Sequence, residues 1–200
     1  VTLTPLTLRH QHAPVARARL ALLDRDGVLV ENRDGYVRSH ADVAILPGGL
    51  QGLERLAEAG VAVVVVTNQA CIAKSIISRD QAIAVHEHVL DRLGAAGRTI
   101  VATYICPHRD EQRCACRKPA PGLVQAALAD HPVALADAFL VGDAASDIAA
   151  ASASGIRSYA VRTGRIGEAE LAQMAGATTL ADDLDAAVAA EFARAGPLRG

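Results

Sequence analysis

Val61 to Val66 reads Val-Ala-Val-Val-Val-Val, six apolar residues with no polar one between them. A strand that is wet on one face alternates apolar and polar side chains, so an unbroken run of strand length belongs inside a sheet covered on both faces. The run is far shorter than the roughly 20 residues that cross a bilayer. Four further runs, Leu20 to Leu23, Ile100 to Ile105, Ala138 to Val141 and Ile156 to Val161, are of similar length. Between and after them, helical periodicity is read at Gly48 to Ala59, Arg79 to Ala96, Pro121 to Ala129, Ser146 to Ser154 and Asp182 to Ala195. Strands alternating with helices predict an α/β domain with a doubly wound, mostly parallel sheet.

The chain has 200 residues, 51% of them hydrophobic, which suits a single domain with a sizeable core. That domain is expected to run over 20–200, with 1–19 a poorly ordered tail that carries Arg9, Arg17 and Arg19 and no acid. Twenty Lys and Arg against 22 Asp and Glu provide no general positive field, and aromatic residues make up only 2%. Both features argue against nucleic-acid binding, which draws on basic surfaces and stacking platforms. With neither a spanning segment nor the apolar core of a secretory signal, the expected setting is cytoplasmic, away from membranes, and the expected state a monomer.

In a doubly wound sheet, ligands bind beyond the carboxyl ends of the strands. After the first run come Asp24-Arg25-Asp26-Gly27, two carboxylates at a sharp turn. One suits a nucleophile and metal ligand, the other proton transfer; the segment alone reads equally as an exposed turn. After the second run come Thr67-Asn68-Gln69, hydrogen-bonding groups fit for a phosphoryl oxygen or for plain strand termination. Asp143, at the end of the fourth run, resembles a hard-cation ligand, and Asp147, four residues on, suits a first helical turn. Arg117-Lys118 precede a helix opened by Pro121, either an anion site or a solvated basic pair. Together, acids, hydroxyl and amide donors, a cation and acids again describe a site for metal-assisted phosphoryl transfer.

Cys106, His108, Cys114 and Cys116 lie within eleven residues. Three thiolates and an imidazole form the closed ligand set of a structural zinc site, and Cys114 and Cys116 are too near in sequence for an easy disulfide. The loop ends next to Arg117 and Lys118, so zinc there would set the position of both cations. Cys71 lies apart and reads as a packed thiol. His86 and His88, two apart on a helical pattern, read as surface residues.

Asp24-x-Asp26-x-Val28, Thr67-Asn68, Lys118 and Gly142-Asp143-x-x-x-Asp147, in this order, resemble the four motifs of the haloacid dehalogenase superfamily. The resemblance implies a Rossmann-like core and an Mg²⁺-dependent phosphatase. In it, Asp24 attacks phosphorus, Asp26 serves as acid and base, and Asp24, Asp143 and the Asp26 backbone carbonyl hold the metal. Thr67, Asn68 and Lys118 bind phosphoryl oxygens, and Asp147 supports. The zinc loop running into Cys-Arg-Lys-Pro is similar to two groups in that superfamily, heptose 1,7-bisphosphate 7-phosphatases and histidinol-phosphate phosphatases. Gly35-Tyr36-Val37, Leu46-Pro47-Gly48, Thr67-Asn68-Gln69, Ile72-Ala73-Lys74 and Cys116 to Gly122 favour the first. The expected substrate is therefore a small phosphorylated sugar, with a phosphorylated amino alcohol as the alternative.

The chain departs from the group at Ala70-Cys71, where Ser-Gly is usual, and at Lys74-Ser75, where Arg-Gly is usual. Forty-three residues separate Asp24 from Thr67 and 51 separate Thr67 from Lys118, too few for a lid domain, so a capless, open site is expected. Segments 30–44 and 70–78 then become the substrate loops, with Arg38, Gln69, Lys74 and Arg117 as candidate contacts. A zinc-stapled binding module without catalysis is the reading from a different class; the retained acids and Lys118 argue against it.

Overall fold

The computed structural model describes residues 3–10, 19–165, 167–173, 176 and 178–195. Seven strands form one sheet: β1 (Leu6–Arg9), β2 (Leu20–Leu23), β3 (Ala62–Asn68), β4 (Ile100–Cys106), β5 (Ala138–Gly142), β6 (Arg157–Val161) and β7 (Thr179–Ala181). Their order across the sheet is β1-β4-β3-β2-β5-β6-β7. Every pairing is parallel except β1 with β4. The helices are α1 (Pro47–Glu58), α2 (Arg79–Gly97), α3 (Gly122–Asp130), α4 (Ala145–Ala153), α5 (Glu168–Gln173) and α6 (Leu184–Ala195).

All of the unalternated run but Val61 lies in β3, where successive side chains enter opposite cores. Val63 and Val65 join Leu53 and Leu56 of α1, Val85 and Val89 of α2 and Leu184 and Val188 of α6. Ala62, Val64 and Val66 join Leu123 and Val124 of α3 and Ala150 and Ala151 of α4. Burial on both faces, worth roughly 1.5–3 kcal/mol for each large aliphatic side chain, is why no polar residue interrupts the run.

From β2 the chain proceeds through β3 and β4 on one side and through β5, β6 and β7 on the other. The order thus reverses at β2, and the crevice for a ligand opens at its carboxyl end. Leu23 is level with Val65 on one neighbour and Val141 on the other, so Asp24 leaves the sheet between two strands.

Two expectations change. Within the supposed tail 1–19, Leu6–Arg9 form an edge strand with Leu6 buried; four residues are too short for their alternation to signal a strand. Residues 1, 2 and 11–18 lie outside the described residues. His86 is fully buried, its Nε2 2.7 Å from Thr103 Oγ1, because β1 and β4 cover the face of α2 that the sequence leaves open to solvent. Cys71 is packed as expected, with Leu6, Ile72, Ile77, Ala82 and Ile105. Among the described residues, no helix is long and apolar enough to cross a membrane.

Candidate active site

The strand ends meet as the topology requires. Asp24, Asp26, Thr67, Asn68, Arg117 and Asp143 border one cavity of about 160 Å³, together with Asn32, Tyr36, Ala70, Ser146 and Arg165. Asp24 continues the β2 ladder, its backbone N–H donating to Val141 O. Its Oδ1 accepts from the Arg25 backbone N–H at 2.7 Å, and its Oδ2 lies 3.0 Å from Lys118 Nζ.

Gly27 allows the acids to approach one another. It adopts φ +84°, and a Cβ there would stand 2.3 Å from Asp143 Oδ2 and 2.4 Å from Asn32 Nδ2. Without it, Asp143 Oδ2 accepts from Asn32 Nδ2 at 2.6 Å and from the Arg165 backbone N–H at 3.1 Å.

Lys118 is buried and departs from its expected role. Its ammonium donates to Val66 O at 2.7 Å and pairs with Asp24 and Asp147. Three partners occupy its three hydrogens, so it grips the candidate nucleophile instead of projecting into the cavity. Burial alone would favour the neutral amine, but the carboxylates of Asp147 and Asp24 overcome it and hold the group charged above its ordinary range.

Asn68 has a partner that its place in the sequence does not show. Its side chain donates to Lys118 O at 3.0 Å and accepts from Lys118 N–H at 3.1 Å, a two-point clasp across 50 residues of sequence. It positions Lys118 with one amide hydrogen and the carbonyl oxygen, while the residue also borders the cavity. Gln69, expected to touch substrate, is buried. Its Nε2 donates to Asp26 Oδ2 at 2.8 Å and Thr67 Oγ1 at 3.0 Å. Since Thr67 Oγ1 accepts from Gln69, its own hydrogen is available to the cavity.

Asp26 accepts from Arg25 Nε at 3.0 Å on Oδ1 and from Arg25 Nη2 at 2.9 Å on Oδ2. With Gln69, these donors take three of the about four acceptor positions of a carboxylate and leave one on Oδ1. Arg25, fully buried, was absent from the sequence-based candidates, as were Asn32, Tyr36, Ser146 and Arg165. Arg38 and Lys74 are exposed and do not border the cavity, although Lys74 Nζ donates to the Tyr36 hydroxyl at 2.8 Å.

Asp24, Asp143 and Asp147 each offer a carboxylate oxygen within 4.8 Å of the others. Burial, with the negative charge of Asp24 nearby, pushes Asp143 up to about 6. Burial also pushes Asp147 up to about 7, against the pull of Lys118. Three acids facing one ammonium leave excess negative charge on hard oxygen donors, a set that fits Mg²⁺.

The Cys106, His108, Cys114 and Cys116 donors likewise lie within 4.8 Å of one another. Sulfur separations are 3.7 Å for Cys106–Cys114 and 3.3 Å for both Cys116 pairs. A tetrahedron with bonds of about 2.3 Å needs edges of about 3.8 Å, so small shifts would seat zinc. Arg117 follows this cluster directly; its guanidinium donates to Asp110 and to His108 O while bordering the cavity.

A family model described as HAD-hydrolase-like matches residues 115–187. D-glycero-beta-D-manno-heptose-1,7-bisphosphate 7-phosphatase of Bordetella bronchiseptica is 37% identical over 176 residues, which cover 87% of this chain and 97% of that protein. D-glycero-alpha-D-manno-heptose-1,7-bisphosphate 7-phosphatase of Mycobacterium tuberculosis is 38% identical over 128 residues, 63% of this chain and 67% of that protein. The crystal structure of the B. bronchiseptica D,D-heptose 1,7-bisphosphate phosphatase, complexed with magnesium and phosphate, matches with a TM-score of 0.81 at 35% identity, covering 88% of this chain and 99% of that one.

Proposed function

We infer that this chain, which belongs to the HAD-like hydrolase family, is a Mg²⁺-dependent phosphatase that removes the 7-phosphate of D-glycero-D-manno-heptose 1,7-bisphosphate. The observation that carries the reading is Asp24 at the topological switch point, paired with Lys118 and beside Asp143, in a chain that aligns with 97% of a heptose bisphosphate phosphatase.

In this reading an Asp24 carboxylate oxygen forms a bond to phosphorus as the bond from phosphorus to the sugar oxygen breaks. Asp26 gives its proton to the departing oxygen, from the one position on Oδ1 that Arg25 and Gln69 leave open. Asp26 then takes a proton from water, whose oxygen displaces Asp24 and releases inorganic phosphate. Lys118 holds Asp24 in line through the Asn68 clasp, and the Thr67 hydroxyl donates to a phosphoryl oxygen. Bound at Asp24, Asp143 and the Asp26 carbonyl, Mg²⁺ would supply charge neutralisation at the transferred group. In this reading the second phosphate meets Arg117 and Arg165, which border the cavity.

The test is kcat/KM with Mg²⁺ on both anomers of the heptose bisphosphate and on histidinol phosphate. A preference of about a hundredfold or more for a heptose bisphosphate is expected, since a site built to pair with a second anion discriminates against a substrate lacking it. Preference for histidinol phosphate would overturn the substrate and leave the roles of Asp24 and Asp26 standing.

A further inference from the structure

The catalytic reading gives no task to the segment that precedes β2. Leu6–Arg9 pair antiparallel with Ala102–Ile105, which places Leu6 opposite Ile105 and one residue from Cys106. The buried Leu6 side chain anchors this register against Cys71, Ile72 and Ile77. The chain preceding β1 thereby passes over the cysteine loop, and Leu3 O comes to lie 2.9 Å from His108 Nε2.

A carbonyl oxygen carries no hydrogen, so His108 Nε2 must supply it. The Nδ1 lone pair then points the other way, to Cys106 Sγ at 3.4 Å and Cys116 Sγ at 3.2 Å. Binding a metal through Nδ1 requires this neutral tautomer, and an acceptor on the far nitrogen fixes both tautomer and ring orientation.

We propose that residues 3–9 form a clamp for the zinc centre, in which docking of β1 delivers the Leu3 carbonyl as the outer partner of His108. Leu3 is a positioning residue here, supplied from 105 positions away in the sequence. The inference rests on the zinc reading of Cys106, His108, Cys114 and Cys116.

Metal analysis of the full chain first measures zinc per chain; a value near zero would remove the zinc reading itself. Transfer of zinc to a competing chelator then compares the full chain with one lacking residues 1–4 and with Leu6→Ala, which keeps the carbonyl but loosens its anchor. Loss of an outer partner typically weakens metal binding about 10–100-fold, which is the effect expected for the shortened chain, with a smaller loss for Leu6→Ala. Arg55→Ala, which removes the surface pair with Asp185, controls for general loosening and is expected to leave zinc affinity unchanged. Full zinc affinity in the shortened chain would overturn the clamp, as would an equal loss in Arg55→Ala.

Discussion

Two ligand clusters are joined by a two-residue step in sequence, from Cys116 of one to Lys118, which grips Asp24 and Asp147 of the other, and they are built in opposite ways. The cysteine cluster turns its three sulfurs and one imidazole nitrogen on one another and uses all four donors. The carboxylate cluster faces a cavity, and each acid is also held by groups outside the cluster: Asp24 by Lys118, Asp143 by Asn32, Asp147 by Lys118 and the Ala144 backbone N–H. A closed set fixes the shape of a loop. An open, undercompensated set keeps free energy of interaction in reserve for an incoming charge. Separate damage to the two clusters should therefore separate shape from chemistry.

Asp24→Asn should cause the largest change, a fall in kcat on the order of 10⁴-fold or more, as for removal of other catalytic nucleophiles. Zinc content should stay near that of the parent, since the cysteine cluster is untouched, and the fold should hold because the Lys118 ammonium keeps Asp147 and Val66 O. Full turnover in this variant would refute covalent catalysis through Asp24.

Lys118→Ala lies between the clusters. Loss of a preorganised charge at the reacting group costs about 10²–10³ in kcat. It also leaves Asp147 buried without its ion pair, a penalty of roughly 3–5 kcal/mol in stability. The measurements are turnover and denaturant unfolding, and turnover equal to the parent would take Lys118 out of the site.

Cys114→Ser tests the closed cluster. Zinc should be lost, and a stability loss of roughly 3 kcal/mol would lower Tm by on the order of 10 °C in a chain of this size. Activity should fall as well, because Arg117 and Lys118 follow the loop, but by less than in Asp24→Asn. One full equivalent of zinc in the variant would refute the ligand assignment.

The open cluster was legible where an apolar run stops. Asp24, Thr67 and Asp143 follow β2, lie near the end of β3 and follow β5, and the reversal of strand order at β2 converges them. The cysteine cluster was legible from spacing alone. Partnerships made across the fold were not: the Asn68 clasp and the burial of Gln69 depend on which backbone lies opposite each amide. Edge strand β1 was missed because four residues are too few to show a period, and His86 reads as a surface residue until β4 is placed beside it. Asn32 and Arg165 stand in loops with no periodicity to read.

His86 gives the smallest expected effect and a way to separate both clusters from the fold that holds them. It is fully buried, its Nε2 meets Thr103, and its Nδ1 has no hydrogen-bond partner among the described residues. Burial, with the Arg25 guanidinium and the His10 ring facing it, holds its imidazole well below the usual 6.5. The folded chain therefore binds fewer protons here than the unfolded chain once the pH drops below about 6.5, and stability must fall with pH by up to about 1.4 kcal/mol per unit. Above that pH the contribution is fully present. Metal held at either cluster would also be released in acid as the ligands protonate, so acid inactivation of the parent would mix three causes. His86→Gln removes only one: unfolding free energy measured between pH 7 and 5 should lose part of its slope, while the pH dependence of zinc release and of turnover should stay unchanged. An unaltered stability slope would assign the acid sensitivity of the fold to the ligand clusters themselves.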